Sequence, residues 1–188
     1  MKNFQSQVFR VAVYCGSASG TSPEYLAEAH ALGKALAAAG IGLVYGGACV
    51  GLMGAVADAA LDAGGEVIGI LPDILSGGEI AHTRLTTLEV VPTMHERKMR
   101  MHALADAFVA LPGGYGTLDE MIEAVTWAQL DNHAKPCILV NTLGYWDGLL
   151  EFLDTAVKAG FLKRSIRALL RVAANAAEAV AMVVATAG

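Results

Sequence analysis

Short β-branched and apolar runs that alternate with stretches of helical spacing constrain this chain more than any other feature. Val8–Tyr14, Ile41–Tyr45, Glu66–Leu71, Thr87–Val91, Ala107–Leu111, Pro136–Asn141 and Ala168–Val172 read as strands, bounded by Gly, Pro or polar turns. Between them run Pro23 to Gly40, Gly51 to Ala63, Met94 to Leu104, a segment ending near Leu130, and Trp146–Ala159, each with helical periodicity; Ala176–Ala187 is the last helix. Proline opens the first of these and glycine closes it, the asymmetry that helix ends prefer. The alternation predicts an α/β fold of about seven strands in a doubly wound parallel sheet, covered by helices on both faces. Ligands of such sheets bind beyond the carboxyl ends of the strands.

At 188 residues, 55% of them hydrophobic, one domain with a sizeable core is expected over residues 1–188. A formal net charge of −5 carries no basic footprint for nucleic acid, so nucleic-acid partners are not expected. The local basic cluster Arg97-Lys98-Met99-Arg100 is the one departure. Cys15, Cys49 and Cys137 are odd in number and widely spaced, which fits neither a disulfide framework nor a metal site. The first seven residues are polar rather than signal-like, and the apolar tail is short and carries Glu178. The expectation is a soluble cytoplasmic protein with no membrane span, no metal and no cofactor.

Three glycine-rich loops follow strands and lead toward helices: Cys15 to Gly20, Tyr45 to Gly54, and Pro112 to Thr117. Exposed backbone N–H groups at a helix start, with glycine allowing close approach, suit a phosphate. None of the three is a dinucleotide fingerprint or a P-loop. Tight connections between elements produce similar turns, so the loops alone decide little.

Thr117 and Glu120 admit two readings. They form the spacing of a capping box, Thr at the N-cap and Glu three residues on. They also place a carboxylate in the first helical turn beside an anion site, where the helix dipole favours its ionised form. An ionised carboxylate next to a sugar can stabilise an oxocarbenium-like transition state or activate water. Arg97 lies on one stripe with Met94, Met101 and Leu104, and an arginine on an apolar stripe requires an anion. That anion is either a structural carboxylate or a ligand phosphate. Lys98 is a solvated residue or a helper in neutralising the phosphate. Glu79, in the irregular segment Asp73–Thr86, is a second candidate acid or a ligand to ribose hydroxyls, and the neighbouring His82 reads as structural.

Gly46 to Gly54, Glu79-Ile80-Ala81-His82, Met94-His95-Glu96-Arg97-Lys98, Pro112-Gly113-Gly114-Tyr115-Gly116-Thr117-Leu118-Asp119-Glu120, Thr126 to Leu130 and Lys135-Pro136 resemble the LOG ("Lonely Guy") phosphoribohydrolases. The likeness runs from about Val11 to Leu170. It implies a Rossmann-like fold, a homodimer, and hydrolysis of cytokinin riboside 5′-monophosphate or AMP to free base and ribose 5-phosphate. It makes Arg97 and Glu120 the catalytic pair, the turn Gly113, Gly114, Tyr115, Gly116 and Thr117 the phosphate cradle, and Glu79 a further site residue. On that mechanism the adenine leaves toward Ser17, Gly47 and Met94. Ala48 and Asp119 depart from the residues common there, glycine and glutamate. Many such proteins are labelled lysine decarboxylases, a chemistry that needs a lysine Schiff base with pyridoxal phosphate. Lys98 alone lies near the site, which argues against the label. Two rivals stay open: a module that binds or senses the nucleotide without cutting it, and a phosphoribosyl transferase with an acceptor other than water.

Overall fold

Seven strands pair in parallel in the order β4-β3-β2-β1-β5-β6-β7. They are β1 (Arg10–Tyr14), β2 (Gly42–Tyr45), β3 (Val67–Pro72), β4 (Thr87–Val91), β5 (Ala107–Ala110), β6 (Cys137–Val140) and β7 (Leu170–Ala173). The structure, a computed structural model, describes residues 8–76 and 80–186. Gly77, Gly78 and the candidate site residue Glu79 lie outside the described residues.

Period-two alternation sends successive side chains of β1 to opposite faces of the sheet. Val11 and Val13 pack under α1 (Pro23–Ala38), α2 (Gly51–Asp62) and α8 (Ala176–Val184). Ala12 and Tyr14 face the other side, under α4 (Met94–Leu104), α5 (Tyr115–Gln129) and α6 (Asp147–Lys158). Both faces are therefore covered: β2, β3, β5 and β6 are buried throughout, and β1 everywhere but at Arg10. This explains their continuous rather than alternating hydrophobicity. β4 forms one edge and alone carries mostly exposed or half-buried residues. Single helical turns not expected from the sequence are α3 (Asp73–Ser76), α7 (Arg164–Arg167) and the 3-10 turn Thr142–Gly144. Each has three or four residues, too short for a periodic signal.

The feature that places the site is the reversal of strand order at β1. From β1 the chain steps outward to β2, β3 and β4, then returns to pair β5 against the other side of β1, Val11 with Ala107 through Tyr14 with Ala110. The connections leaving β1 and β5 diverge to opposite faces, and a crevice opens between their carboxyl ends. No helix among the described residues is long and apolar enough to cross a membrane.

Candidate active site

The crevice is walled by the loops after β1 and β5, which hold each other: the N–H of Gly16 donates to the carbonyl of Pro112 at 3.0 Å. The loop after β2 closes the floor, where the N–H of Leu52 donates to the carbonyl of Gly16 at 3.1 Å. Its outer side is tied to the segment after α3, with Cys49 N–H on the carbonyl of Ile80 at 2.8 Å and His82 N–H on that of Gly47 at 2.9 Å. His82 is structural, as its sequence context suggests: it is buried, its Nδ1 accepts from the N–H of Arg84, and its Nε2 faces Asp58 at 3.2 Å.

Two adjoining hollows share Gly16, Ser17 and Gly114. One, of about 240 Å³, is lined by Cys15, Met53, Arg97, Tyr115, Gly116, Thr117 and Glu120 besides the shared residues. The other, of about 300 Å³, is more apolar and is lined by Ser19, Tyr25, Leu52, Gly113 and Tyr145 among others.

Helix α5 begins at Tyr115 with Gly114 as its N-cap, and no side chain caps it. The N–H groups of Tyr115, Gly116 and Thr117 therefore have no intrahelical acceptor and point out of the helix start at the polar hollow, an anion cradle in form. Thr117 is not the N-cap that the capping-box spacing suggested, because the N-cap is Gly114, three residues earlier. Its side chain is buried and turned back on Gly113, where a Cβ would come within 2.0 Å of Oγ1. Only glycine fits there.

Glu120 consequently lies in the second turn of α5, not the first, and projects inward. It is 7% exposed and Arg97 on α4 is 9% exposed; the Nη2 of Arg97 stands 3.3 Å from Oε1 of Glu120. The anion that the apolar stripe of α4 demanded is thus Glu120, a carboxylate that itself lines the hollow. The Nε of Arg97 is buried without a hydrogen-bond partner among the described residues. Gly46 makes room for this guanidinium: a Cβ there would be 2.1 Å from Nη2. Glu120, read from the sequence as a first-turn carboxylate whose ionised form the helix dipole favours, lies beyond the turn where that field is strongest. Burial outweighs the attraction of Arg97 and pushes the carboxyl up to about 6. Cys15, in the same wall, has its thiol held far above the ordinary range by burial, so it is no nucleophile near neutral pH.

The remaining predicted residues are only partly brought together. Ser17 lines both hollows. Met94 is half exposed at the start of α4, its sulfur 3.9 Å from Nη1 of Arg97. Gly47, with φ +78°, packs against β3 and the Leu88 side chain, and its neighbour Gly46 is the residue that meets the pair. Lys98 turns to Asp119 at 3.1 Å and Glu123 at 3.0 Å, neutralised by carboxylates rather than facing the cradle. Met53, Tyr25 and Tyr145 were missed. Tyr145 had a signal, since it follows β6 in the turn-forming string Asn141 to Gly144, next to the strand that bounds the crevice. Among the described residues no group of three or more His, Cys, Asp or Glu is placed to hold a metal ion.

A phosphate-type cradle beside a buried arginine–glutamate pair, at the switch point of a doubly wound sheet, defines an α/β protein equipped to bind a phosphorylated ligand and perform acid–base or electrostatic chemistry on it. Comparison with known proteins agrees and goes further. A family model described as "Possible lysine decarboxylase" matches residues 53–183. Cytokinin riboside 5′-monophosphate phosphoribohydrolase LOG7 of Arabidopsis thaliana is 46% identical over 180 residues, covering 96% of this chain and 83% of its own. Its counterpart LOG of Oryza sativa subsp. japonica is 47% identical, covering 94% and 73%. The chain belongs to this phosphoribohydrolase family. Among solved structures it is similar to a Moco carrier protein from Chlamydomonas reinhardtii (TM-score 0.72, 27% identity, covering 95% and 96%). A molybdenum cofactor binding protein from Rippkaea orientalis shares the fold (TM-score 0.74, 24% identity, covering 97% and 99%).

Proposed function

We propose that this chain hydrolyses the N-glycosidic bond of a nucleoside 5′-monophosphate with an adenine-type base, cytokinin riboside 5′-monophosphate or AMP, giving free base and ribose 5-phosphate. The observation that carries the reading is the Arg97–Glu120 pair, buried and held at 3.3 Å in the hollow that the start of α5 opens onto. The 5′-phosphate docks on the N–H groups of Tyr115, Gly116 and Thr117, with Ser17 on the opposite wall. Glu120, ionised, stabilises the cationic ribosyl centre and orients water. Water adds its hydroxyl to the anomeric carbon and its proton goes to the departing base. Arg97 holds Glu120 in place and turns its guanidinium charge toward the sugar or phosphate. Met94 borders the path of the base. The ion pairs of Lys98 give it a supporting role on α5 and speak against a decarboxylase lysine.

The binding-only alternative is favoured by one observation: solved neighbours on this fold are cofactor carriers. A Glu120→Gln variant separates the two, because it keeps the size of the side chain and removes its charge. We expect release of free base from AMP and from isopentenyladenosine 5′-monophosphate, followed chromatographically, to fall by about a hundredfold or more, with nucleotide affinity retained. No base from the wild-type protein despite measurable binding would overturn the hydrolase reading.

A further inference from the structure

We infer that Tyr145, which lies outside the Arg97–Glu120 pair, is the positioning residue that aims the anion cradle. The inference rests on the proposed docking of a phosphate at that cradle. The Tyr145 hydroxyl donates to the carbonyl oxygen of Gly113 at 2.6 Å. In a trans peptide the C=O and N–H point in opposite directions. Fixing this carbonyl toward Tyr145 therefore turns the N–H of Gly114 away from it, toward the mouth of α5. The preceding peptide is held by the same logic, since Gly16 N–H clamps the carbonyl of Pro112 at 3.0 Å. An external clamp is needed here because the peptide lies between two glycines, where rotation meets little steric resistance.

The loop that carries Tyr145 is built as a rigid post. Asn141 accepts from the N–H of Trp146 and donates to Asp147, both at 2.7 Å. The N–H groups of Gly144 and Tyr145 bond back to Asn141 and Thr142, each at 3.1 Å. Leu143 sits at φ +54°, the left-handed region that non-glycine residues avoid, although its side chain is exposed and gains nothing from burial. The Tyr145 ring stands edge-on against Tyr25 and against the buried Trp146, with ring centres 5.9 and 4.8 Å away. A disfavoured backbone, a side-chain clasp and two ring contacts all serve to bring one hydroxyl to one carbonyl.

The test is Tyr145→Phe in the full chain, which keeps the ring and removes the hydroxyl. We expect KM for AMP to rise about tenfold, the equivalent of one well-aligned hydrogen bond, with kcat nearly unchanged. Competitive inhibition by inorganic phosphate should weaken by the same factor, whereas inhibition by adenosine, which lacks the phosphate, should not move. Calorimetric titration of inorganic phosphate into both proteins reads the cradle without turnover. A wild-type protein that binds phosphate but cleaves no AMP would therefore defeat the hydrolase reading and leave this comparison decisive. Equal phosphate affinity in the two proteins, or equal losses for phosphate and adenosine, would overturn the inference.

Discussion

Glu120 is pulled in two directions. Burial disfavours its charge, the flanking carboxylates Asp119 and Glu123 add to that, and Arg97 with Lys98 opposes it. The balance leaves the carboxyl near 6, above an ordinary glutamate. A folded-state value raised in this way means that the group's stabilising contribution is present at low pH and is lost as pH rises through about 6. The proposed chemistry has the opposite sign, because it uses the ionised form, so activity should fall as pH is lowered through about 6. Removing the charge of Arg97 takes away the strongest force that lowers this value. In Arg97→Gln the acid limb of the kcat/KM profile should therefore move to higher pH, and a carboxyl-carbon NMR titration reads the same group if turnover is too slow. An acid limb that stays in place would show that Glu120 is not the titrating residue. The residue patterns revealed that Arg97 needs an anion and that Glu120 can act on a sugar, and the family resemblance named the two as a catalytic pair; that they form an ion pair with each other was not legible. That depends on α4 and α5 packing side by side, which no local pattern encodes. Gly46 was likewise indistinguishable from Gly47 until the guanidinium lay over one of them.

Helix starts in this protein show why a four-residue motif is a weak guide to position. Two of the Thr-x-x-Glu spacings lie at the starts of α4 and α5, Thr93–Glu96 and Thr117–Glu120. At the first, Thr93 does cap α4, its Oγ1 accepting from the N–H of Glu96 at 3.1 Å. At the second it does not, because the preceding glycine turn already delivers the chain in helical direction at Tyr115 and leaves the first N–H groups open. Of these two starts the uncapped one faces the crevice, where a ligand can supply the missing acceptors. The cap of α8 is complete: Asn175 Oδ1 accepts from Glu178 N–H at 3.0 Å, and the Glu178 carboxylate accepts from Ala174 N–H at 2.7 Å. Asn175→Ala should cost about 1 kcal/mol in urea unfolding and leave KM for AMP unchanged, since α8 packs on the face away from the pair. A loss of affinity without loss of stability would contradict this division of roles. Element positions were legible because each strand is bounded by Gly, Pro or polar residues and each long helix has a full apolar period. The turns α3 and α7 have neither.

At the level of the whole molecule, alternation made a parallel sheet predictable, but not the order of its strands. Nothing in a run such as Ala107–Ala110 says that it pairs with β1 rather than β4, and yet that choice locates the crevice. The reversal also bears on how activity arises in time. The strands β1 to β4 pair with sequence neighbours, as do β5 to β7, whereas the seam joins Val11 to Ala107 far along the chain. Closing that seam carries the largest loop-closure entropy in the sheet. Arg97 precedes it and Glu120 follows it, while the wall made by Gly16 and Pro112 spans it, so no half of the sheet contains a site. On dilution from urea, ellipticity from helices should recover before the capacity to release base from AMP, measured by quenching refolding into substrate at successive times. Simultaneous recovery would mean that the seam forms with the first structure. On this expectation the proposed catalytic centre doubles as a chemical reporter of the last long-range step of assembly, and a chain arrested short of it would be folded in part and inert.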